Sequence, residues 1–101
     1  MRGRPVKSKI RQNIVEILYF MKKGYGYDIY KAYRDIFPAV SMRVIYYHLK
    51  KGVETGEFIV DGVRSEKGEY SWGGQAEKIY YALGKDAHPQ GDKRVEKYFR
   101  K

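Results

Sequence analysis

The 101-residue sequence contains no cysteine. Disulfide bonds and thiolate metal sites both need this residue, so noncovalent interactions alone must hold the fold, and an intracellular protein is favoured. Asparagine occurs once and glutamine three times. Because these amides are thermolabile and ionic residues are abundant, the composition favours a thermophilic source.

Long apolar runs are also missing. Charged residues interrupt every hydrophobic stretch well before the roughly 20 residues that a membrane-spanning helix needs. The basic N-terminus is not followed by the apolar segment of a secretory signal. The sequence therefore predicts a cytoplasmic protein with no membrane partner.

Acidic residues are few relative to basic ones. Lysine and arginine number 21 against 12 aspartates and glutamates, which gives a net charge of +9. The isoelectric point near 9.7 passes the value of about 9 that suggests a nucleic-acid footprint. Membranes and acidic proteins also attract such a charge, so it narrows the class of partner without identifying it. The length predicts one domain with a small core.

Two segments with the 3.6-residue periodicity of amphipathic helices occupy the first third of the chain. Ser8 is placed to cap the first helix, and Gly24-Tyr25-Gly26 is expected to end it. Its apolar stripe consists of Ile10, Ile14, Ile17, Leu18 and Met21. A second helix is expected over about 27–37, where Pro38 ends it.

A third helix, over about 42–53, is expected between a capping Ser41 and a terminating Gly56. Its inner side is predicted to carry Met42, Ile45, Leu49, Gly52 and Val53. Its outer side is predicted to carry Arg43, Tyr47, Lys50 and Glu54. The short link from the second helix predicts close neighbours that cross steeply, as in a helix-turn-helix.

After the third helix the periodicity changes from 3.6 to 2. Strands are expected over 58–63 and 79–83, and the polar segment between them is expected to project as a wing. Asp92 can cap a short last helix that has Val95 and Phe99 on one face.

This order of elements predicts an α+β fold, a winged helix-turn-helix with three helices, a two- to three-stranded antiparallel wing and a short C-terminal helix. The predicted organisation is a basic arm at 1–9, the winged-helix domain at 10–84, and a linker with the short helix at 85–101.

Several stretches resemble the PadR-like family of transcriptional regulators. They are Gly26-Tyr27-Asp28-Ile29, then Val44-Ile45-Tyr46 with Leu49-Lys50-Lys51, and the strand Lys78-Ile79-Tyr80-Tyr81-Ala82-Leu83. Tyr46-Tyr47-His48-Leu49-Lys50 is also similar to ArsR-type winged helices. The resemblance covers about 10–83 and departs at Gly52, where a leucine is usual. It implies DNA-binding regulation.

The outer face of the third helix has side chains that suit the DNA major groove, which admits one helix. Arg43 can pair with a guanine edge, Lys50 can bond a base or a phosphate, and Tyr47 can bond a phosphate or stack. A solvated face without a partner is the alternative, and the scarcity of acids argues against it. Tyr46 flanks the buried side, so packing and phosphate contact both stay open.

Basic residues outside this stripe extend the predicted surface. Arg2-Gly3-Arg4-Pro5 resembles the core of an AT-hook, which binds a narrow A·T minor groove. The alternative is an arm that holds phosphates through Arg2, Arg4 and Lys7. In the wing, Arg64 and Lys67 can touch phosphates or the minor groove, whereas Trp72 is expected to pack. Ser41 and Lys51, which adjoin the stripe, complete the predicted nucleic-acid-binding set.

Patterns for catalysis and for metal binding are missing. The four serines lack a nearby histidine and acid, and Gly24-Tyr25-Gly26 continues into no phosphate-binding loop. His48 and His88 have no second ligand at metal-binding spacing, so each is expected to be a packed or surface histidine. The sequence therefore predicts no enzyme, no cofactor and no metal.

Together these features predict a homodimeric double-stranded DNA-binding protein, a small transcriptional regulator associated with the nucleoid. Val95 and Phe99, or the apolar side of the first helix, are expected to form the dimer. An RNA-binding or ribosome-associated winged helix, with structured RNA as its partner, is the alternative. A third interpretation is a protein-docking domain that meets an acidic partner.

Overall fold

The computed structural model describes residues 8–70 and 73–100, and the side chains of residues 8–62 and 79–100. Four helices and three strands make up this part of the chain. In order they are α1 (Lys9–Met21), β1 (Lys23–Tyr25), α2 (Gly26–Ile36), α3 (Met42–Thr55), β2 (Phe58–Tyr70), β3 (Gly73–Leu83) and α4 (Lys93–Phe99). The predicted α+β winged helix-turn-helix order is confirmed.

Side chains at the helix ends explain where α1 and α2 begin and stop. The Ser8 hydroxyl accepts a hydrogen bond from the Arg11 backbone N–H at 3.2 Å and caps α1 as predicted. Asp28 lies in the first turn of α2, where the helix dipole favours an acid. Phe37, which precedes Pro38, has extended backbone angles of −117° and 167°, because the proline ring disfavours a helical residue before it.

The sheet is antiparallel in the order β1-β3-β2, with β3 in the centre. β1 corrects the prediction that Gly24-Tyr25-Gly26 only ends the first helix. Lys23 pairs with Ala82 and Tyr25 with Tyr80, so this short segment adds a third strand before α2 starts. This strand is held by its hydrogen bonds to β3. Three residues are too few to show the alternation of polar and apolar side chains that marks a strand in a sequence.

The hairpin of β2 and β3 is longer than predicted, since pairing continues from Phe58–Leu83 to Tyr70–Gly73. The polar segment after Val63 is therefore mostly strand. The register shifts between Val60 and Gly62, and Gly62 has a φ of 151° that suits glycine.

One hydrophobic core lies between the first three helices and the base of the hairpin. Its buried members are Ile14, Val15, Ile17, Leu18, Ile29, Ala32, Tyr33, Phe37, Ile45, Leu49, Phe58, Tyr81 and Val95. One polar bond lies inside it, from the Asn13 amide to the Tyr33 hydroxyl at 3.1 Å. The core holds α3 against α1, α2 and β2, and so fixes which of its faces is exposed.

A buried carboxylate fastens α4 to α1. Glu16, only 2% exposed, accepts backbone hydrogen bonds from Gln90, Gly91 and Asp92 at 2.7, 2.9 and 3.0 Å. Val95 of α4 is fully buried in the chain's own core.

This docking bears on the predicted dimer surfaces. Val95 and the middle of the apolar side of α1 are buried in the chain's own core, whereas Phe99, Ile10 and Met21 are half-buried. The predicted dimer through these surfaces stays a prediction.

Candidate nucleic-acid interface

α3 is bounded by the two residues that the sequence indicated. The Ser41 hydroxyl accepts a hydrogen bond from the Val44 backbone N–H at 3.2 Å, and Gly56 ends the helix with a φ of 88°. Ile45 and Leu49 are fully buried beneath the helix. A helix that is capped at both ends and packed along one side presents its other side in a fixed orientation.

The exposed side of α3 carries the predicted stripe of Arg43, Tyr47, Lys50 and Glu54. Tyr47 is 58% exposed. Within the described residues, no acidic side chain pairs with Arg43 or Lys50, whereas Lys51 lies 3.7 Å from the Glu54 carboxylate. Arg43 and Lys50 are thus the cations of this helix that an external anion can engage without breaking an ion pair.

Tyr46 combines packing with exposure. It is 43% exposed, yet its ring occupies the space that a side chain at Gly26 would fill. Burial, and then the neighbouring Tyr25, raise the pKa of the Tyr46 hydroxyl, so it stays a neutral hydrogen-bond donor. Gly26 is therefore needed where α2 starts beside α3.

Gly52 explains the departure from the usual leucine. A Cβ at this buried position would overlap the ring of Phe58, which is 1% exposed. The Phe58 ring of β2 thus fills the space that a side chain at position 52 would need. Val53, predicted to face inward, is instead 37% exposed, and the buried residue of this turn is Gly52, against which the Phe58 ring packs.

A polar cluster joins α3 to α1 and β2. The Arg11 Nε donates to Glu57 Oε1 at 2.7 Å, and its Nη1 lies 3.3 Å from His48 Nδ1. The Thr55 hydroxyl donates to the same Glu57 oxygen at 2.7 Å. His48 is therefore a half-buried residue that contacts Arg11, within the sequence expectation of a packed or surface histidine.

The remaining predicted residues belong to the hairpin and to the N-terminal arm. Arg64 and Lys67 are on β2, with backbone partners Lys78 and Gln75, and their side chains fall outside the described ones. Arg2, Arg4, Lys7 and Trp72 lie outside the described residues.

The described residues were also compared with what a metal site and a membrane-spanning helix require. No group of three or more histidines, aspartates and glutamates there is arranged to hold a metal ion. None of the helices described is both long and apolar enough to cross a bilayer.

The order of elements, the buried and exposed sides of α3 and the long antiparallel hairpin define a winged helix. No family model matches the sequence, and no curated protein matches it. Solved structures do share the fold.

PadR from Bacillus subtilis, solved in complex with operator DNA, is 20% identical with a TM-score of 0.58, over 93% of this chain and 48% of that one. A PadR family transcription regulator from a hypervirulent Clostridium difficile is 24% identical with a TM-score of 0.57, over 92% of this chain and 85% of that one. The chain spans about half the length of the Bacillus PadR. The predicted PadR-like winged helix is therefore confirmed as the fold.

Proposed function

We propose that this protein binds double-stranded DNA as a transcriptional regulator, with α3 in the major groove. One observation carries the proposal: the exposed side of α3 presents Arg43, Tyr47 and Lys50, while its opposite side is locked into the core. PadR, which shares the fold, was solved in complex with operator DNA, and this supports duplex DNA as the ligand. The proposal assigns a binding role and no catalytic one.

The polar side chains on and beside the stripe, apart from Glu54, each make a defined contact with DNA in this proposal. Arg43 makes paired hydrogen bonds to a guanine edge, while Lys50 and Lys51 neutralise phosphates. The hydroxyl groups of Tyr47 and Tyr46 donate hydrogen bonds to phosphate oxygens. The Ser41 oxygen is engaged in capping, but its O–H proton can still be donated to a phosphate.

The wing and the arm hold the DNA backbone on either side of α3. Arg64 and Lys67 lie on the hairpin, which extends beyond the core. Arg2, Arg4 and Lys7 precede α1, whose first turn is attached to α3 through the contact of Arg11 with His48. The first helix therefore begins beside the flank of the recognition helix, and the proposal gives the basic residues before it the same duplex as their target.

A homodimer and a nucleoid location belong to the same proposal. Two-fold related DNA half-sites favour two-fold related proteins, and a DNA-binding regulator works where the chromosome is. Of the predicted dimer surfaces, Phe99 on α4 and Ile10 and Met21 on α1 are half-buried, so they are the residues there that a second copy can still contact.

Competition between duplex DNA and structured RNA at one salt concentration tests the proposal. Duplex should win by at least about tenfold, and Arg43→Ala should weaken the duplex complex. Lys97→Ala, on α4, is the matched control, because it removes one positive charge away from α3. Preference for RNA would assign the alternative function, and binding of neither would favour a protein partner.

A further inference from the structure

His48 lies on the flank of α3, beside the predicted stripe and outside it. We propose that His48 donates a hydrogen bond from Nε2–H to a backbone phosphate of DNA, and that Arg11 is the positioning residue that keeps the proton on this nitrogen. The inference rests on the proposed DNA-binding function and adds a contact that carries no charge.

The hydrogen-bond geometry determines the tautomer. A guanidinium group has only donors, so the ring nitrogen that faces it must supply a lone pair. His48 Nδ1 lies 3.3 Å from Arg11 Nη1. A neutral imidazole has one ring proton, which must then be on Nε2.

The Arg11 guanidinium is itself held in place. Its Nε donates to Glu57 Oε1 at 2.7 Å, and the two side chains are only 17% and 19% exposed. Thr55 donates to the same carboxylate oxygen at 2.7 Å. The cluster thus connects α1, the end of α3 and the start of β2, and it fixes the plane of the His48 ring.

The ring is uncharged near neutral pH. Burial, and then the neighbouring Arg11, lower the pKa of His48, and the Glu57 carboxylate opposes them more weakly. A neutral ring that accepts from Arg11 has one donor to offer and no positive charge.

Nε2–H has no acceptor among the described residues. Because the ring is only half-buried, a ligand can approach it from solvent. The His48 and Tyr47 rings lie nearly perpendicular with 5.0 Å between their centroids, and Lys51 follows one turn later. A phosphate oxygen beside Tyr47 and Lys51 would meet this N–H. Neutral donors commonly contact the DNA backbone, and such a contact releases no counterion of its own.

Salt-dependent binding to a duplex separates this contact from an ionic one. His48→Ala should weaken binding about tenfold and leave the dependence of affinity on salt unchanged. Lys50→Ala should instead lower that salt slope by about one. His48→Gln, which offers an amide N–H, should recover most of the affinity, and His88→Ala, at the other histidine, should have no effect.

NMR of the ring nitrogens tests the tautomer in the unaltered protein. The free protein should carry the His48 proton on Nε2, and this proton should become protected from exchange when duplex DNA is added. Arg11→Ala should release the tautomer, so that both nitrogens share the proton. A proton on Nδ1 in the free wild-type protein would overturn the proposal, even if His48→Ala failed to fold.

The binding results separate the two proposals. If the wild-type protein binds duplex and folded His48→Ala binds it with an affinity within twofold of wild type, the proposed His48 contact is wrong. The DNA-binding function would still stand. A salt slope lowered by His48→Ala would also contradict a neutral donor. If the wild-type protein binds no duplex at all, both proposals fail.

Discussion

Removing the Glu16 carboxylate should loosen α4 from the rest of the molecule. This buried side chain accepts three backbone N–H groups, from Gln90, Gly91 and Asp92, and the Gln12 side-chain amide at 2.8 Å. Glu16→Ala would leave the three backbone N–H groups without their acceptor, whereas the Gln12 amide keeps its hydrogen bond to the His88 carbonyl. The N-terminus of α4 would then lose its attachment to α1.

The cost can be worked out from these contacts. A hydrogen bond to a charged group contributes about 1.5–3 kcal/mol net. Gln90 is exposed and can bind water instead, whereas Gly91 and Asp92 are half-buried, and removing the carboxylate also relieves its own desolvation. We expect a loss of about 3 kcal/mol in the free energy of unfolding, from a total of roughly 5–15 kcal/mol.

Urea unfolding followed by circular dichroism measures this loss, and the melting temperature should fall by roughly 15 °C. Glu16→Gln, which keeps one acceptor oxygen, should lie between wild type and Glu16→Ala. Glu54→Ala removes an exposed glutamate and should change stability by less than about 0.5 kcal/mol. An equally small change for Glu16→Ala would refute the reasoning. Protease cleavage after Lys93 or Arg94 should also become faster in Glu16→Ala.

The remaining predictions concern α3. Arg43→Ala should reduce the free energy of binding to the preferred duplex by about 1–3 kcal/mol and relax the preference at one base position. Lys50→Ala should weaken binding to all duplex sequences alike. Titrations of both variants with preferred and altered duplexes would distinguish the two effects. Gly52→Ala should destabilise the fold by about 1–3 kcal/mol in urea, because its Cβ overlaps the Phe58 ring, and unchanged stability would contradict that packing. Burial, and then the neighbouring guanidinium, lower the pKa of His48, so the unfolded chain binds its proton more readily. Stability should therefore fall as pH drops below about 6.5, and less steeply in His48→Gln.

Local sequence signals predicted the helices well. Ser8, Ser41 and Asp92 cap α1, α3 and α4 as predicted, because a capping side chain bonds to a backbone group only two or three residues away. Gly56 ends α3 through its own backbone angle. These features depend on neighbours in the chain and can be read from a single sequence.

Features that depend on distant partners could not be predicted. β1 exists because Lys23–Tyr25 pairs with β3, and its three residues have no periodicity. Glu16 accepts hydrogen bonds from residues more than 70 positions away, so its role leaves no local trace. The burial of Gly52 in place of Val53 likewise involves a partner on another element, the Phe58 ring.

The candidate site was predicted in part for the same reason. Helical spacing placed Arg43, Tyr47 and Lys50 on the exposed side of α3, because one turn of helix determines that face. His48 gave no such signal, since its ring is oriented by Arg11 from another helix. Because a tertiary contact sets the tautomer of His48, its free N–H donor can be identified only from the folded structure.

Selection of sites from random duplex DNA, with the wild-type protein and Arg43→Ala in parallel, tests the central claim most directly. If the exposed side of α3 reads bases, the wild-type protein enriches a motif, and the variant enriches the same motif with one position relaxed. Failure of the wild-type protein to enrich any motif, or an identical motif and affinity for the variant, would contradict the assignment of α3 to the major groove.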